Sequence, residues 1–316
     1  MDKDKKKFLK RKLGWFSLRI FAILNGIFPL GGSYFLGKIL GRIAYFAVLR
    51  HRRIALENLS IAFPYVSSKK RKRIAIGFFI FMAQSSVELL YFLRNPRSLE
   101  NIYIEGKENL EHAIEQGRGV IILTAHLGNF PLMSLKLAKA GYTVNVVARP
   151  MRDERAGDYI HNLRIKAGIK TIFSYPRKVC VGGIIKALRE RELVIIQMDQ
   201  NFGTGGVWVK FFGKLAATPL GPIIFALRTQ AAVCPAYICR ESQGRHCIKF
   251  FSPEKLILTQ DKDETVLLNA IKFTRIIESW VKNFPFQWSW IHRRWKSQPS
   301  EKMRNLKFKI EKSLQE

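Results

Sequence analysis

The sequence lacks the short motifs of several common enzyme classes. It contains no G-x-S-x-G turn, and "FFGK" at 211–214 is not a phosphate-binding loop, because the position five before Gly213 is Trp208. Serine hydrolases and P-loop NTPases are therefore disfavoured. No repeat with a period of 20–50 residues is present, which argues against solenoids and propellers. No helical pattern follows the glycine-rich "GTGGVW" at 203–208, so we predict a mobile loop there rather than a dinucleotide-binding turn.

Cysteine is scarce. Cys180, Cys234, Cys239 and Cys247 form no CxxC pair, although His246 stands beside Cys247. Zinc sites and disulfide-rich secreted folds use closely spaced cysteines. The spacing here favours small buried thiols in a reducing compartment, and we expect neither a metal nor another cofactor.

Acidic residues are few: 24 Asp and Glu face 54 Lys and Arg, a net charge of +30. Such an excess indicates a polyanionic partner, which could be nucleic acid, anionic lipid or an acidic protein. The basic tracts "MDKDKKKFLKRK" and "SKKRKR" adjoin apolar segments, which favours an anionic membrane surface. The aromatic residues of "FPFQWSWIHRRW" leave nucleic-acid binding as a weaker alternative.

An uncharged segment near the N-terminus is about long enough to cross a bilayer. It spans Ile20–Gly37 between Arg19 and Lys38 and contains Pro29 and several glycines. No A-x-A cleavage site follows it, so we favour an uncleaved anchor or a helix in the membrane plane over a signal peptide or a buried soluble helix. The basic residues before it predict a cytoplasmic N-terminus.

The pattern of apolar residues along the chain changes near residue 100. Residues 1–95 have mostly helical patterns and form the predicted membrane-proximal region. Residues 96–297 alternate amphipathic helices with short apolar runs, among them "GVIILTA", "YTVNVVA", "IKTIF", "ELVIIQM", "AAVCPAYI" and "HCIKFF". This alternation predicts an α/β domain whose central sheet is mostly parallel and flanked by helices. Residues 298–316 form a predicted basic tail.

Three polar residues follow predicted strands. His126, Arg149 and Asp199 each stand just past an apolar run, and ligands of open α/β sheets bind at the carboxyl ends of strands. His126 fits a general base, or a packed histidine of no chemical role. Arg149 fits a phosphate or carboxylate contact or a surface salt bridge. Asp199 fits an acid that orients the histidine, binds an arginine or caps a loop.

The residues also resemble a known family. The blocks "HRRIALENLSIAFP", "AHLGNF", "ARP", "MDQN", "VWVKFFGKLAATPLGP", "ALRTQAAVCPAYI" and "FPFQWSWIHRRWK" occur in order between about residue 50 and residue 297. Together they resemble the bacterial lipid A late (lauroyl/myristoyl) acyltransferases of the lysophospholipid acyltransferase superfamily.

The resemblance implies an enzyme at the cytoplasmic face of the bacterial inner membrane. Such an enzyme moves an acyl chain from an acyl carrier protein thioester to a hydroxyl of a lipid A precursor. It implies that His126 is the general base and that Arg149, and less specifically Arg164, contact acceptor phosphate. Asn129 and Gln200 are further expected substrate contacts. The net positive charge of the chain would favour binding of both the acidic carrier protein and the phosphorylated lipid.

One position departs from the family pattern. The family places Asp or Glu five residues after the histidine, where this chain has Pro131. Proline suits the first turn of a helix but cannot orient an imidazole. We expect Asp199 or Glu88 to replace the missing acid. If neither does, the chain would be a non-catalytic lipid-binding protein of the same fold. Another glycolipid or a lysophospholipid remains an alternative acceptor.

Overall fold

The computed structural model describes residues 30–203, 205–241 and 244–299. Its helices are α1 (Leu30–Ala47), α2 (Leu49–Ala62), α3 (Ser68–Arg94), α4 (Lys107–Glu115), α5 (Phe130–Lys139), α6 (Glu154–Lys166), α7 (Arg177–Arg189), α8 (Gly221–Thr229) and α9 (Lys262–Asn283), with a 3-10 helix at Pro96–Asn101. Its strands are β1 (Tyr103–Glu105), β2 (Val120–Thr124), β3 (Val144–Ala148), β4 (Ile169–Phe173), β5 (Leu193–Gln197), β6 (Val207–Phe211), β7 (Lys214–Thr218), β8 (Ala232–Arg240) and β9 (His246–Phe250).

Seven of these strands form one central sheet, in the order β1-β9-β8-β2-β5-β3-β4. The five strands from β8 to β4 are mutually parallel. Strand β9 runs antiparallel to β8, and β1 runs parallel to β9. The predicted α/β class with a mostly parallel, helix-flanked sheet is therefore confirmed.

The sheet buries both of its faces, as the unbroken apolar runs of its strands require. Every residue of β2 is buried. Ile121 and Leu123 belong to a core with α7, α8, α9 and the N-terminal helices, whereas Val120 and Ile122 belong to a second core with α4 and α5. The packing of helices on both faces of the sheet thus fixes the position of the strand ends, and the candidate site lies at these ends.

Helices α1 to α3 pack on the first of these cores. Helix α1 buries one narrow face at every fourth position, through Ser33, Gly37, Gly41 and Tyr45. A Cβ at Gly41 would lie 2.4 Å from the Ile80 Cα of α3, so the close approach of the two helices requires glycine there. Helix α3 is long and apolar enough to cross a membrane, but 44% of its most apolar window is buried within the protein.

The N-terminal and C-terminal predictions fall largely outside the described residues. Of the predicted anchor Ile20–Gly37, the structure describes the part from Leu30 onward, as the first turns of α1. Of the predicted tail 298–316, it describes Gln298 and Pro299. The four cysteines are buried and unpaired, as expected for small core thiols.

The hairpin β6–β7 was not predicted. The loop expected at 203–208 ends at Val207, where β6 begins, so that prediction is wrong in part. Phe212 and Gly213 form its two-residue turn with φ of 52° and 72°, as the favoured hairpin turn requires. Phenylalanine rarely adopts such a φ. Tertiary contacts hold it, because the Phe212 N–H donates to Glu278 Oε2 at 2.6 Å.

Candidate active site

The carboxyl ends of two neighbouring strands bring His126 and Asp199 together. Strands β2 and β5 are parallel and adjacent, and Thr124 pairs in register with Gln197. His126 lies two residues past Thr124, and Asp199 lies two residues past Gln197. Equal offsets from a paired register place the two residues side by side at the edge of the sheet.

The two side chains are in direct contact. His126 Nδ1 lies 2.8 Å from Asp199 Oδ1. The other carboxylate oxygen, Oδ2, accepts the backbone N–H of His126 at 2.9 Å and the Trp288 indole N–H at 2.7 Å. Asp199 is buried, whereas 23% of the His126 side chain is exposed. The carboxylate is therefore fixed from three directions while the imidazole remains accessible.

The ionisation of Asp199 sets the form of the histidine. Burial acts to raise the pKa of Asp199, but the charge of His126 and the hydrogen bonds from His126 and Trp288 outweigh it and hold the pKa below its usual value. An ionised carboxylate can only accept hydrogen bonds, so Nδ1 of a neutral His126 carries the proton. Its Nε2 then keeps a lone pair, as a general base requires.

A C-terminal strap, residues 284–297, closes over both loops of the site. The Ser289 N–H donates to the His126 carbonyl at 3.1 Å, and the Gly128 N–H donates to the Gln287 carbonyl at 3.0 Å. Trp288 forms a β-bridge with Leu127 between these bonds. The strap therefore fixes the histidine turn as well as the carboxylate.

His292 of the strap also supports the loop that follows β5. Its Nε2 accepts the Asn201 N–H at 2.9 Å. Burial lowers the pKa of His292, and the charges of His126 and Arg294 lower it further against the opposing effect of Asp199. A neutral imidazole is required to accept this hydrogen bond, so the lowered pKa fits the role. Sequence reasoning did not identify Trp288 or His292 as parts of the site.

The tryptophan side chains of the strap are core residues. Trp288, Trp290 and Trp295 are buried, and the Trp288 ring packs against the Phe211 ring of β6. The Trp295 indole N–H donates to the Phe211 carbonyl at 3.2 Å. Buried tryptophans cannot stack on bases, which weakens the aromatic argument for nucleic-acid binding.

Two of the other predicted site residues lie at the same edge of the sheet. Arg149 is exposed directly after β3, which is separated from β2 by β5 alone. Gln200 is half-buried and follows Asp199. Both positions are compatible with contact to a ligand above the strand ends.

Arg164 is not brought to this edge. It lies in the last turn of α6, ten residues after that helix begins, which is about 15 Å along the helix axis. Because β3, α6 and β4 form a parallel crossover, the end of α6 lies toward the amino ends of the strands. Burial lowers the pKa of Arg164 there. The structure thus separates Arg164 from His126.

Asn129 and Glu88 face the protein interior. Asn129 is buried, and its side-chain NH₂ donates to the Ser85 carbonyl and to Glu88 Oε2, each at 2.9 Å. This geometry favours a positioning role for Asn129 over direct substrate contact. Glu88 contacts Asn129 rather than His126, so of the two acids expected to replace the one missing at Pro131, it is Asp199 that contacts the histidine.

A group of possible metal ligands lies elsewhere on the sheet. Ligand atoms of Glu105, Glu241 and Cys247 approach within 4.8 Å of one another. The Lys249 ammonium lies 3.0 Å from Glu105 Oε2, where its charge already satisfies the carboxylate. We assign no metal or cofactor role to this group.

The fold and the site together define an α/β protein with a histidine–aspartate pair at the carboxyl edge of its sheet, an arrangement suited to general-base chemistry. Comparison with known proteins identifies the family. Residues 1–297 match the model of the bacterial lipid A biosynthesis acyltransferases, and the chain belongs to that family. The resemblance noted in the sequence blocks is thereby confirmed.

Individual relatives match this chain over most of its length or over about half of it. Similar proteins include the lipid A biosynthesis palmitoleoyltransferase of Escherichia coli, 28% identical over 91% of this chain and 92% of its own length. The lipid A biosynthesis lauroyltransferase of Escherichia coli is 24% identical over 91% of this chain and 92% of its own. A phosphatidylinositol mannoside acyltransferase of Mycobacterium tuberculosis is 26% identical over 47% of each chain.

Proposed function

We propose that this chain is a membrane-associated O-acyltransferase. In this proposal it moves a fatty acyl chain from an acyl carrier protein thioester to a hydroxyl of a lipid A precursor, at the cytoplasmic face of the bacterial inner membrane. The observation that supports this most directly is the 2.8 Å contact between the accessible His126 ring and the buried Asp199 carboxylate. The family and its relatives support the acyl transfer and the lipid acceptor.

His126 supplies the base of the proposed reaction. Its Nε2 takes the proton of the acceptor hydroxyl as that oxygen attacks the thioester carbonyl carbon. The tetrahedral intermediate then collapses, the carbon–sulfur bond breaks, and the departing thiolate receives the proton back from the imidazolium. An ester and a free carrier thiol result, and no covalent enzyme intermediate is needed.

Asp199 orients the base and stabilises the imidazolium. Its Oδ1 accepts the Nδ1–H, while the bonds to Oδ2 prevent the carboxylate from rotating. A buried negative charge beside the ring favours the protonated state that forms during attack. The chain therefore needs no acid at position 131, which weakens the alternative of a non-catalytic lipid-binding protein.

The edge of the sheet around His126 is chemically complementary to a phosphorylated lipid. Besides Arg149 it presents the exposed cations Arg152 and Arg177, together with the exposed apolar side chains Met151 and Tyr175. One guanidinium group can donate two parallel hydrogen bonds to two oxygens of a phosphate, and the neighbouring apolar side chains can contact acyl chains. We propose that Arg149 and Gln200 contact the acceptor here.

Membrane association is supported by the outer face of α1. Phe35, Ile43 and Phe46 are 67%, 56% and 60% exposed, on the side of the helix opposite the glycine face. Lys38 and Arg42 are exposed between them. An apolar helix face bordered by cations is typical of helices that lie in the surface of an anionic bilayer.

We expect the double replacement Ile43→Glu and Phe46→Glu to weaken binding to anionic vesicles by about 10-fold or more, because it removes apolar area and adds repulsion. Co-sedimentation with phosphatidylglycerol-containing vesicles at fixed salt measures this. Leu258→Glu is the matched control, since Leu258 is exposed outside α1. Equal binding by the double variant would show that α1 is not the membrane-contacting face.

The acceptor is tested by direct assay. Purified wild-type protein is incubated with carrier proteins charged with different acyl chains, and with a Kdo-bearing lipid A precursor, a phosphatidylinositol mannoside or a lysophospholipid. We expect an acylated lipid A precursor, detected by mass. Preferred acylation of the mannoside would instead favour the glycolipid alternative, which the mycobacterial relative supports. No product with any pair would contradict the proposed enzyme.

A further inference from the structure

The carboxylate of Glu88 is fully buried and is contacted by donors from several elements. Oε1 is contacted by the Tyr34 hydroxyl of α1 and by His246 Nε2 of β9 at 2.9 Å. Oε2 accepts from Arg240 Nη2 of β8 at 2.7 Å and from Asn129 Nδ2 at 2.9 Å. One side chain of α3 thus connects the first described helix, the sheet and the start of α5.

Glu88 is suited to this role only as an anion. Burial acts to raise its pKa, but the hydrogen bond from His246 and the charge of Arg240 outweigh burial and lower the pKa to about 2. A carboxylate offers acceptors alone, and its partners act as donors. Arg240 is held as well by Gln84 and Ser85, each at 2.9 Å.

Asn129 occupies the N-cap position of α5 without capping it. Asparagine is favoured at an N-cap because its side-chain oxygen accepts an N–H from the first turn, yet no such bond forms here. Its amide donates instead to Glu88 and to the Ser85 carbonyl. The helix that follows His126 is thereby attached to α3.

These bonds complete the attachment of the histidine turn. The His126 N–H is held by Asp199, the Gly128 N–H by the Gln287 carbonyl, and the Asn129 side chain by Glu88. A Cβ at Gly128 would lie 1.8 Å from the Ile238 carbonyl oxygen, so the turn also packs directly on β8. Of these attachments, only the one through Asn129 involves the N-terminal helices, because its partner Glu88 lies in α3.

We propose that Glu88 and Asn129 are positioning residues for His126, which hold the turn 126–129 so that the imidazole stays aligned for proton transfer. This inference rests on the proposed function. It assigns to α3 the acid that fixes the start of α5, which in this chain contains Pro131 instead of an acidic residue. Neither residue touches substrate in this proposal.

Asn129→Ala is the primary test, because it leaves the Glu88–Arg240 pair intact. We expect kcat for acyl transfer to fall about 10- to 100-fold through misplacement of the base. KM should change by less than about two-fold, since a positioning residue does not bind substrate. Hydrogen exchange at the backbone amides of residues 126–130 and 132 should speed up in the same variant. Glu88→Gln should reproduce both effects if it folds.

Asn145→Ala is a closely matched control. Asn145 is equally buried and donates to Glu192 Oε2 at 2.7 Å and to the Leu193 carbonyl at 3.2 Å, at the amino ends of β3 and β5. Asn145→Ala should lower thermal stability without changing kcat or the exchange of the amides of residues 126–130 and 132.

The outcomes separate the two proposals. Wild-type kcat in folded Asn129→Ala, or a raised KM at unchanged kcat, would overturn the positioning role, the latter in favour of substrate contact. Loss of kcat in Asn145→Ala to the same degree would also overturn it. If the wild-type protein transfers no acyl chain, the proposed function fails. The exchange comparison then still decides whether Asn129 orders the turn.

Discussion

His126→Ala is expected to reduce kcat for acyl transfer by about 10²- to 10⁴-fold, the usual contribution of a positioned general base. Without the imidazole, the acceptor hydroxyl must lose its proton to water in a site that Phe130 and the strap partly enclose. The Phe130 ring lies 5.0 Å from the His126 ring, measured between centroids. KM should change little, because the base binds no substrate group strongly before attack.

The matched control is His112→Ala. His112 is exposed on α4 and lies 3.9 Å from Glu115. It should leave kcat unchanged. A His126→Ala protein that is folded and retains wild-type kcat would contradict the assignment of the base.

Asp199→Asn is expected to have a comparable effect, on the order of 10⁴ in kcat by analogy with other histidine–aspartate pairs. The reason is that the substitution changes the tautomer of the His126 ring. Two N–H donors, from His126 and Trp288, converge on Oδ2, so the asparagine carbonyl oxygen should occupy that position. Its NH₂ group then faces Nδ1 and donates to it. The ring proton must move to Nε2, where no lone pair remains to accept from the hydroxyl.

A measurement of thermal stability should distinguish this loss of kcat from a loss caused by unfolding. Asparagine is nearly isosteric with aspartate, so the variant should remain folded and bind substrate with similar KM. Asp261→Asn is the control, because Asp261 caps α9 and asparagine can also cap a helix. Near-normal kcat in Asp199→Asn would mean that the carboxylate charge does not support the base.

Much of this site was accessible from the sequence because it depends on local patterns. The apolar runs before His126 and Asp199 identified two strands, and the parallel α/β pattern placed their ends at one edge. The sequence is compatible with three roles for Asp199. The register between β2 and β5 places it against His126, and that register depends on how whole strands pack across the sheet.

The rest of the site depends on contacts between residues far apart in the chain. Trp288 reaches Asp199 across 89 positions, and His246 reaches Glu88 across 158. The sequence block containing Trp288 was recognised as part of the family pattern, but nothing local distinguishes a tryptophan that holds a carboxylate from one that fills a core. The Phe212 turn was missed for a related reason, since contacts with α9 impose a φ that phenylalanine rarely adopts.

The central claim is that His126 and Asp199 act as one unit in acyl transfer. The most direct test compares kcat of the wild type, His126→Ala, Asp199→Asn and the double variant, with one acyl carrier protein donor and one lipid A precursor. Residues that act as a unit are strongly non-additive, so the double variant should be no slower than His126→Ala alone. If the two losses instead multiply in the double variant, the residues contribute independently and the account is wrong.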